Sequence, residues 1–132
     1  MARLKPSALA ICRAAIALVW IYQGLVPKLL GPDKDELAMS MALGVSREMA
    51  NFLSYSAGLG ELALGAAVLL LRRREWPLWL TLASMPLLLV YTAWAMPSLL
   101  TAAFNPVSAN LAVGALAAVA LMLQKDGMHS AG

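Results

Sequence analysis

An all-α integral membrane protein, a four-helix bundle with its spans running up-down-up-down, is the fold class this sequence predicts, and three observations carry it. Hydrophobic residues make up 61% of the chain and charged residues only 13%, with a mean hydropathy of +0.75. A soluble domain is about 45–50% apolar and about 25% charged, so this chain has too little charge to cover a wetted surface. Four separate stretches are long and apolar enough to cross a hydrocarbon layer, which takes about 20 residues of helix. The basic residues lie beside those stretches, where a membrane topology needs them. Strands are excluded, because an open sheet leaves backbone groups unpaired in lipid and 132 residues are too few for a barrel. The four spans and their short loops use the whole length, so residues 1–132 read as one domain.

The first span runs from about Ser7 to Leu30. Arg3 and Lys5 precede it as in a signal peptide, but Arg13 interrupts the apolar run and no small-residue cleavage site ends it, so it reads as an uncleaved helix. The following loop carries a short helix of its own. Asp33 and Glu36 have capping-box spacing, Leu37, Ala38 and Met41 share one face, and Gly44 ends the turn. This predicts an amphipathic helix lying at the interface between the first two spans. Ser46 caps the second span, about Glu48 to Leu71, and the turn Arg72-Arg73-Arg74-Glu75 makes a tight antiparallel hairpin with the third, about Trp76 to Met96. Pro86 predicts a kink in the third span. Asn105 as N-cap with Pro106 at the first helical position opens the fourth, which ends near Gln124. Pro27-Lys28-Leu29-Leu30 and Pro97-Ser98-Leu99-Leu100 close the odd-numbered spans alike, a four-residue hint of two duplicated hairpins.

Orientation follows from the lysines and arginines. One set of ends and loops holds Arg3, Lys5, Arg72, Arg73, Arg74 and Lys125; the other holds Lys28, Lys34 and Arg47, offset by Asp33, Asp35, Glu36 and Glu48. The positive-inside rule places both termini and the arginine turn in the cytoplasm, with Trp76 and Trp79 at the inner interface and Tyr91 and Trp94 near the outer one. The net charge of +3 therefore points to topology and anionic lipid as the partner, and not to nucleic acid, for which no basic-aromatic pattern exists.

Two ionisable residues fall at membrane depth, Arg13 and Glu61, and such charges normally face other helices and find partners. Helical spacing puts Arg13, Ala17, Trp20, Gly24 and Lys28 on one side of the first span, and Ser54, Ala57, Gly58, Glu61 and Gly65 on one side of the second. The second face has the small-residue pattern that lets helices approach closely, so Glu61 points into a helix contact; Asn110, Gly114 and Ala118 make a similar face on the fourth. Arg13 lies roughly 8 Å and Glu61 about 15 Å from the inner boundary, a gap a guanidinium can bridge. The expectation is a buried Arg13–Glu61 pair completed by Gln23, Tyr22 or Asn110, since a buried pair needs further hydrogen bonds to offset desolvation. Three readings stay open at this point: a structural polar lock, a ligand or proton site, or two groups solvated separately, with Arg13 snorkelling and Glu61 protonated.

Lys28 reads as an interfacial anchor or an anion contact at a cavity mouth, and Asn105 as an N-cap. The lone histidine, His129, is in the tail and the lone cysteine is Cys12, so bis-histidine haem and an internal disulfide are excluded and no metal-ligand spacing exists. Neither a nucleophile–base constellation nor a phosphate-binding glycine loop is visible, which argues against a stand-alone enzyme.

The stretch Trp20-Ile21-Tyr22-Gln23-Gly24-Leu25-Val26-Pro27-Lys28-Leu29 with Arg13 ahead of it, Ala57-Gly58-Leu59-Gly60-Glu61, and Phe104-Asn105-Pro106-Val107 with Asn110 together resemble the DoxX-like family of small bacterial four-helix membrane proteins. The resemblance covers about Leu9 to Leu123. It implies a multi-pass protein of the bacterial cytoplasmic membrane, with polar positions at Arg13, Gln23, Lys28, Glu61, Asn105 and Asn110 forming a shared pocket. The family takes its name from a subunit of a quinone-linked sulfur oxidoreductase, and similar domains occur fused to soluble dehydrogenase-like domains. The expectation is a non-catalytic membrane subunit or anchor, with no cofactor of its own, a quinone as the cofactor class, and a separate soluble or membrane redox partner. The alternative is a transporter or ligand-binding membrane protein acting as a homo-oligomer.

Overall fold

The computed structural model describes residues 4–131, with side-chain surroundings for 8–129, so Arg3 and the side chain of Lys5, counted above in the charge balance, lie outside it. The described residues are all helical or loop. α1 spans Leu4–Gly24 and continues into a π-helical turn, Leu25–Leu29; α2 spans Lys34–Met41, α3 Arg47–Leu70 and α4 Trp76–Ala95; a 3₁₀ turn, Pro97–Thr101, precedes α5, Pro106–Ala131. Four helical stretches, Ala8–Leu29, Arg47–Leu70, Trp76–Ala95 and Pro106–His129, are long and apolar enough to cross a membrane.

The local signals account for most boundaries. The Asp33 carboxylate accepts from the Asp35 and Glu36 amides, Ser46 Oγ from Met49 N, and Asn105 Oδ1 from Ser108 N, so each satisfies amides that a helix start leaves unpaired. Gly44 takes φ +90°, a left-handed conformation suited to glycine, and ends the turn after α2.

Five expectations need correction. The first span is not one regular helix: Pro27 has no N–H and crowds the carbonyl four residues back, and the turn around it widens so that Leu30 N bonds Leu25 O at 2.8 Å. The fourth span does not stop near Gln124 but stays helical to Ala131. The capping box at α2 is only half made, because Glu36 turns to Lys28 instead of back to the cap. α2 buries Met39 and leaves Ala38 and Met41 exposed, so its covered side is not the Leu37–Ala38–Met41 face. The two Pro-Xaa-Leu-Leu segments fold differently, one as a π turn and one as 3₁₀, which removes the hint of duplication.

α1 is the hub. It packs along α3 and along α5, and α4 packs along α5. The core joins Ile16, Ala17 and Trp20 of α1 to Val68, Leu78, Met85, Ala117 and Ala120 of the other three long helices. The α1–α3 seam is built from small residues: a Cβ on Gly24 would lie 2.6 Å from Gly58 O, one on Gly58 2.8 Å from Gly24 O, and one on Gly65 2.8 Å from Ile21 Cγ1. Lipid supplies no hydrophobic drive between helices, so this close approach is what attracts them. Trp20 ties α1 to α4, its indole N–H donating to Thr81 Oγ1 at 3.0 Å. α3 and α4 are joined by the short arginine turn yet scarcely touch along their length. That gap is the cleft described next.

Candidate functional site

The expected Arg13–Glu61 pair does not form. Each charge has found different partners, at two separate places along α1.

Arg13, on α1, is 4% exposed. Its Nε and Nη2 donate to Gln124 Oε1 on α5 at 3.2 and 2.5 Å, its Nη1 donates to Val68 O at 2.8 Å, and its Nη2 also donates to Arg74 O at 2.6 Å. Gln124 Nε2 in turn donates to Arg72 O at 3.0 Å. Val68 lies in the last turn of α3, where carbonyls lack helical partners and a cation meets the negative end of the helix dipole. The result is a knot of α1, α5, the end of α3 and the arginine turn, in which every nitrogen of the guanidinium is used. The sequence reading missed Gln124, taking it only as the end of a span. With α5 helical to Ala131, Gln124 falls inside the helix and not at its end, which is what brings its side chain to Arg13.

Lys28 lies in the π turn about 15 residues further on, on the order of 22 Å along the helix. Its ammonium is shared by two carboxylates, Glu36 Oε1 of α2 at 2.8 Å and Glu61 Oε1 of α3 at 3.2 Å. The seam explains the reach. Lys28 passes over Gly58, whose hypothetical Cβ would be 3.0 Å from Lys28 Cβ, one turn from Glu61 on the same face. Lys28 is thus an ion-pair centre, and Glu36, expected only in a capping box, is the third member of the site.

The second oxygen of Glu61 is different. Oε2 is buried and has no hydrogen-bond partner, as is also true of Ser54 Oγ two turns earlier on α3. Glu61 lines the cleft between α3 and α4, a space of about 350 Å³ walled by Trp20, Leu64, Leu80, Leu88 and Tyr91 among others. The cleft is open on one side and its walls are almost wholly apolar. Among the described residues no three His, Cys, Asp or Glu side chains come together as a metal would require.

The remaining expected pocket residues lie elsewhere. Gln23 does not reach Glu61; it is exposed, beside Leu18, Val19 and Tyr22 on the outward side of α1. Asn110 Nδ2 donates to Met85 O at 3.3 Å, in the α4–α5 contact. Asn105 is the cap of α5. Of the six residues expected to share one pocket, the structure brings together only Lys28 and Glu61.

No curated protein and no solved structure matches the chain significantly. A family model described as the DoxX-like family matches residues 17–118, which takes in α1 from Ala17, the Lys28–Glu36–Glu61 site, the cleft and the first half of α5. With four helices long and apolar enough to cross a membrane, and this match over most of its length, the chain is a small multi-pass membrane protein that belongs to the DoxX-like family.

Proposed function

We propose that the chain is a non-catalytic subunit or anchor of the bacterial cytoplasmic membrane, and that it lends a ligand-holding cleft to a quinone-linked redox system. The observation that carries this reading is Glu61, a carboxylate on a membrane-spanning helix that lines an apolar cleft with one oxygen unpartnered. Packing does not call for a carboxylate there, since an apolar side chain of similar size would remove the desolvation penalty. Residues that break a local rule in this way are most often functional.

In this reading the four spans run up-down-up-down, with both termini and the arginine turn on the cytoplasmic side. α2 lies along the outer interface, with exposed Ala38 and Met41 toward the lipid. The ligand is a quinone-type ring, and electrons reach it from a separate soluble or membrane protein. A second reading, an oligomeric transporter or ligand-binding protein, draws on Gln23. An amide exposed among apolar residues on a span gains a hydrogen bond when a second copy covers it.

Affinity purification from native membranes, together with a deletion strain, tests the first reading. A redox protein should copurify and lose its membrane attachment on deletion. A chain that purifies alone, and whose deletion leaves every membrane redox activity intact, rules the subunit role out. Solute flux in proteoliposomes that falls in Glu61→Gln would favour the second reading instead.

A further inference from the structure

We infer that the end of the bundle carrying the arginine turn seats the phosphodiester headgroup of an anionic phospholipid, held between Arg72, Arg73 and Arg74 on the turn and Lys125 on α5. Such a seat depends neither on Glu61 nor on which leaflet this end faces. Net positive charge alone favours anionic lipid without giving it a place. The fold supplies the place, because the main chain of the turn is pinned from inside the bundle. Gln124 Nε2 donates to Arg72 O at 3.0 Å, and Arg13 Nη2 donates to Arg74 O at 2.6 Å. These bonds use main-chain carbonyls, so the knot does not need the side chains of Arg72, Arg73 and Arg74, and all three are exposed.

Charge is unbalanced at this end. Arg13 meets only neutral acceptors, the Gln124 amide oxygen and the Val68 and Arg74 carbonyls, so its charge is solvated but not cancelled. Arg72, Arg73, Arg74 and Lys125 add four more cations, against the carboxylates of Glu75 and Asp126. Glu75 Oε2 accepts from the Trp79 indole at 3.3 Å. Among the described residues none of the three turn arginines is ion-paired with a carboxylate, in contrast to Lys28, which holds two. An anion seated on the turn supplies the counter-charge that Arg13 and the turn lack. A phosphodiester suits these donors: its non-bridging oxygens accept the planar fork of a guanidinium, and Lys125 adds a point charge from a second element. Lys125 Nζ lies 5.4 Å from the centre of the Trp79 ring, which places the ammonium beside the first turns of α4. Trp76 and Trp79 are exposed, and such indoles sit at headgroup depth. The cations therefore lie among headgroups and not out in water, where a soluble acidic partner would meet them. Exposed Leu70 and Leu71, at the end of α3, continue the surface in apolar form for the acyl chains.

The test uses the full chain in a Trp94→Phe background, so that Trp76 and Trp79 are its exposed indoles and Trp20 stays buried. Lipid nanodiscs expose both faces alike, so the direction of insertion does not matter. Phosphatidylglycerol with brominated acyl chains is a minor component in phosphatidylcholine, and its quenching of tryptophan fluorescence is compared with that of the same fraction of brominated phosphatidylcholine. The anionic lipid should be concentrated at these indoles roughly fivefold or more over the bulk. Arg72→Gln/Arg73→Gln leaves the main-chain carbonyls to Arg13 and Gln124 and should lose most of that preference. Lys125→Gln, outside the turn, should lose a smaller part, and Lys34→Gln, at the far end of the bundle, none. Quenching by the two lipids within about twofold of each other overturns the inference and leaves the turn to topology or to an acidic protein segment. A preference that survives Arg72→Gln/Arg73→Gln overturns it as well. Displacement of the anionic lipid by inorganic phosphate at matched ionic strength would assign the site to a free anion and not to a headgroup.

Discussion

Arg13 and Lys28 are two cations on one helical run, and they have opposite surroundings. Arg13 spends its guanidinium on Gln124 Oε1, Val68 O and Arg74 O, and nothing polar beside it is left over. Lys28 stands between two carboxylates and leaves one oxygen of Glu61 without a partner beside an open cleft. The first arrangement holds helices together. The second sets two carboxylates against one ammonium and leaves a buried polar atom unmatched. An ionisable residue in a span is a functional candidate by default, and the comparison shows how to refine that default. The residue whose hydrogen bonds all close on protein is structural, and the one left incomplete is the candidate site.

The comparison can be broken in several places. The largest effect is expected from Arg13→Met. It leaves three acceptors without their donor, each worth about 1–3 kcal/mol when buried, so the loss should be about 3 kcal/mol or more. Equilibrium unfolding in mixed micelles would show the shift, and a change below about 1 kcal/mol would mean that the knot is not structural. Next is Gly58→Ala. Its Cβ would lie 2.8 Å from Gly24 O, so α1 and α3 must move apart at a loss of about 1–3 kcal/mol, and Lys28 with them. Gly60→Ala, with nothing within 4 Å of the added carbon, is the matched control and should be neutral or better. Equal losses for the two would contradict the close seam. The smallest effect belongs to Glu36→Gln. Glu36 is the more exposed of the two carboxylates at 29%, and Lys28 keeps Glu61 when Glu36 is neutralised, so the loss should be only about 1 kcal/mol. Hydrogen exchange should nonetheless rise in α2, because that pair is its charged tie to the π turn. Unchanged protection there would mean that Met39 and the α2–α3 packing hold α2 alone.

Much of this was legible in the residues. The four spans followed from length and hydropathy, and Asp33, Ser46 and Asn105 marked helix starts because a short polar side chain before an apolar run has one good use. The small-residue faces around Gly24 and Gly58 and the placement of Glu61 in the α1–α3 contact also stand. The site went astray at partner choice. Arg13 and Glu61 are the two deepest opposite charges, but backbone carbonyls at a helix end are acceptors with no sequence signature, and the Val68 and Arg74 carbonyls take the guanidinium. Lys28 and Glu61 stood on faces already seen to meet. What hid their pairing was the π turn around Pro27, a local change of helical pitch that spacing rules for a regular helix do not contain. The cleft was hidden for a related reason: a short arginine turn predicts a tight hairpin, whereas α4 lies against α5 and stands off from α3.

The most direct measurement is the unfolding free energy of Glu61→Met beside that of Arg13→Met, in the same micelles. Glu61→Met removes an unpartnered buried oxygen and leaves Lys28 paired with Glu36, so the variant should be as stable as the native chain or more so, while Arg13→Met loses about 3 kcal/mol or more. A Glu61→Met variant that loses as much as Arg13→Met would make both charges structural and leave the cleft without a functional residue.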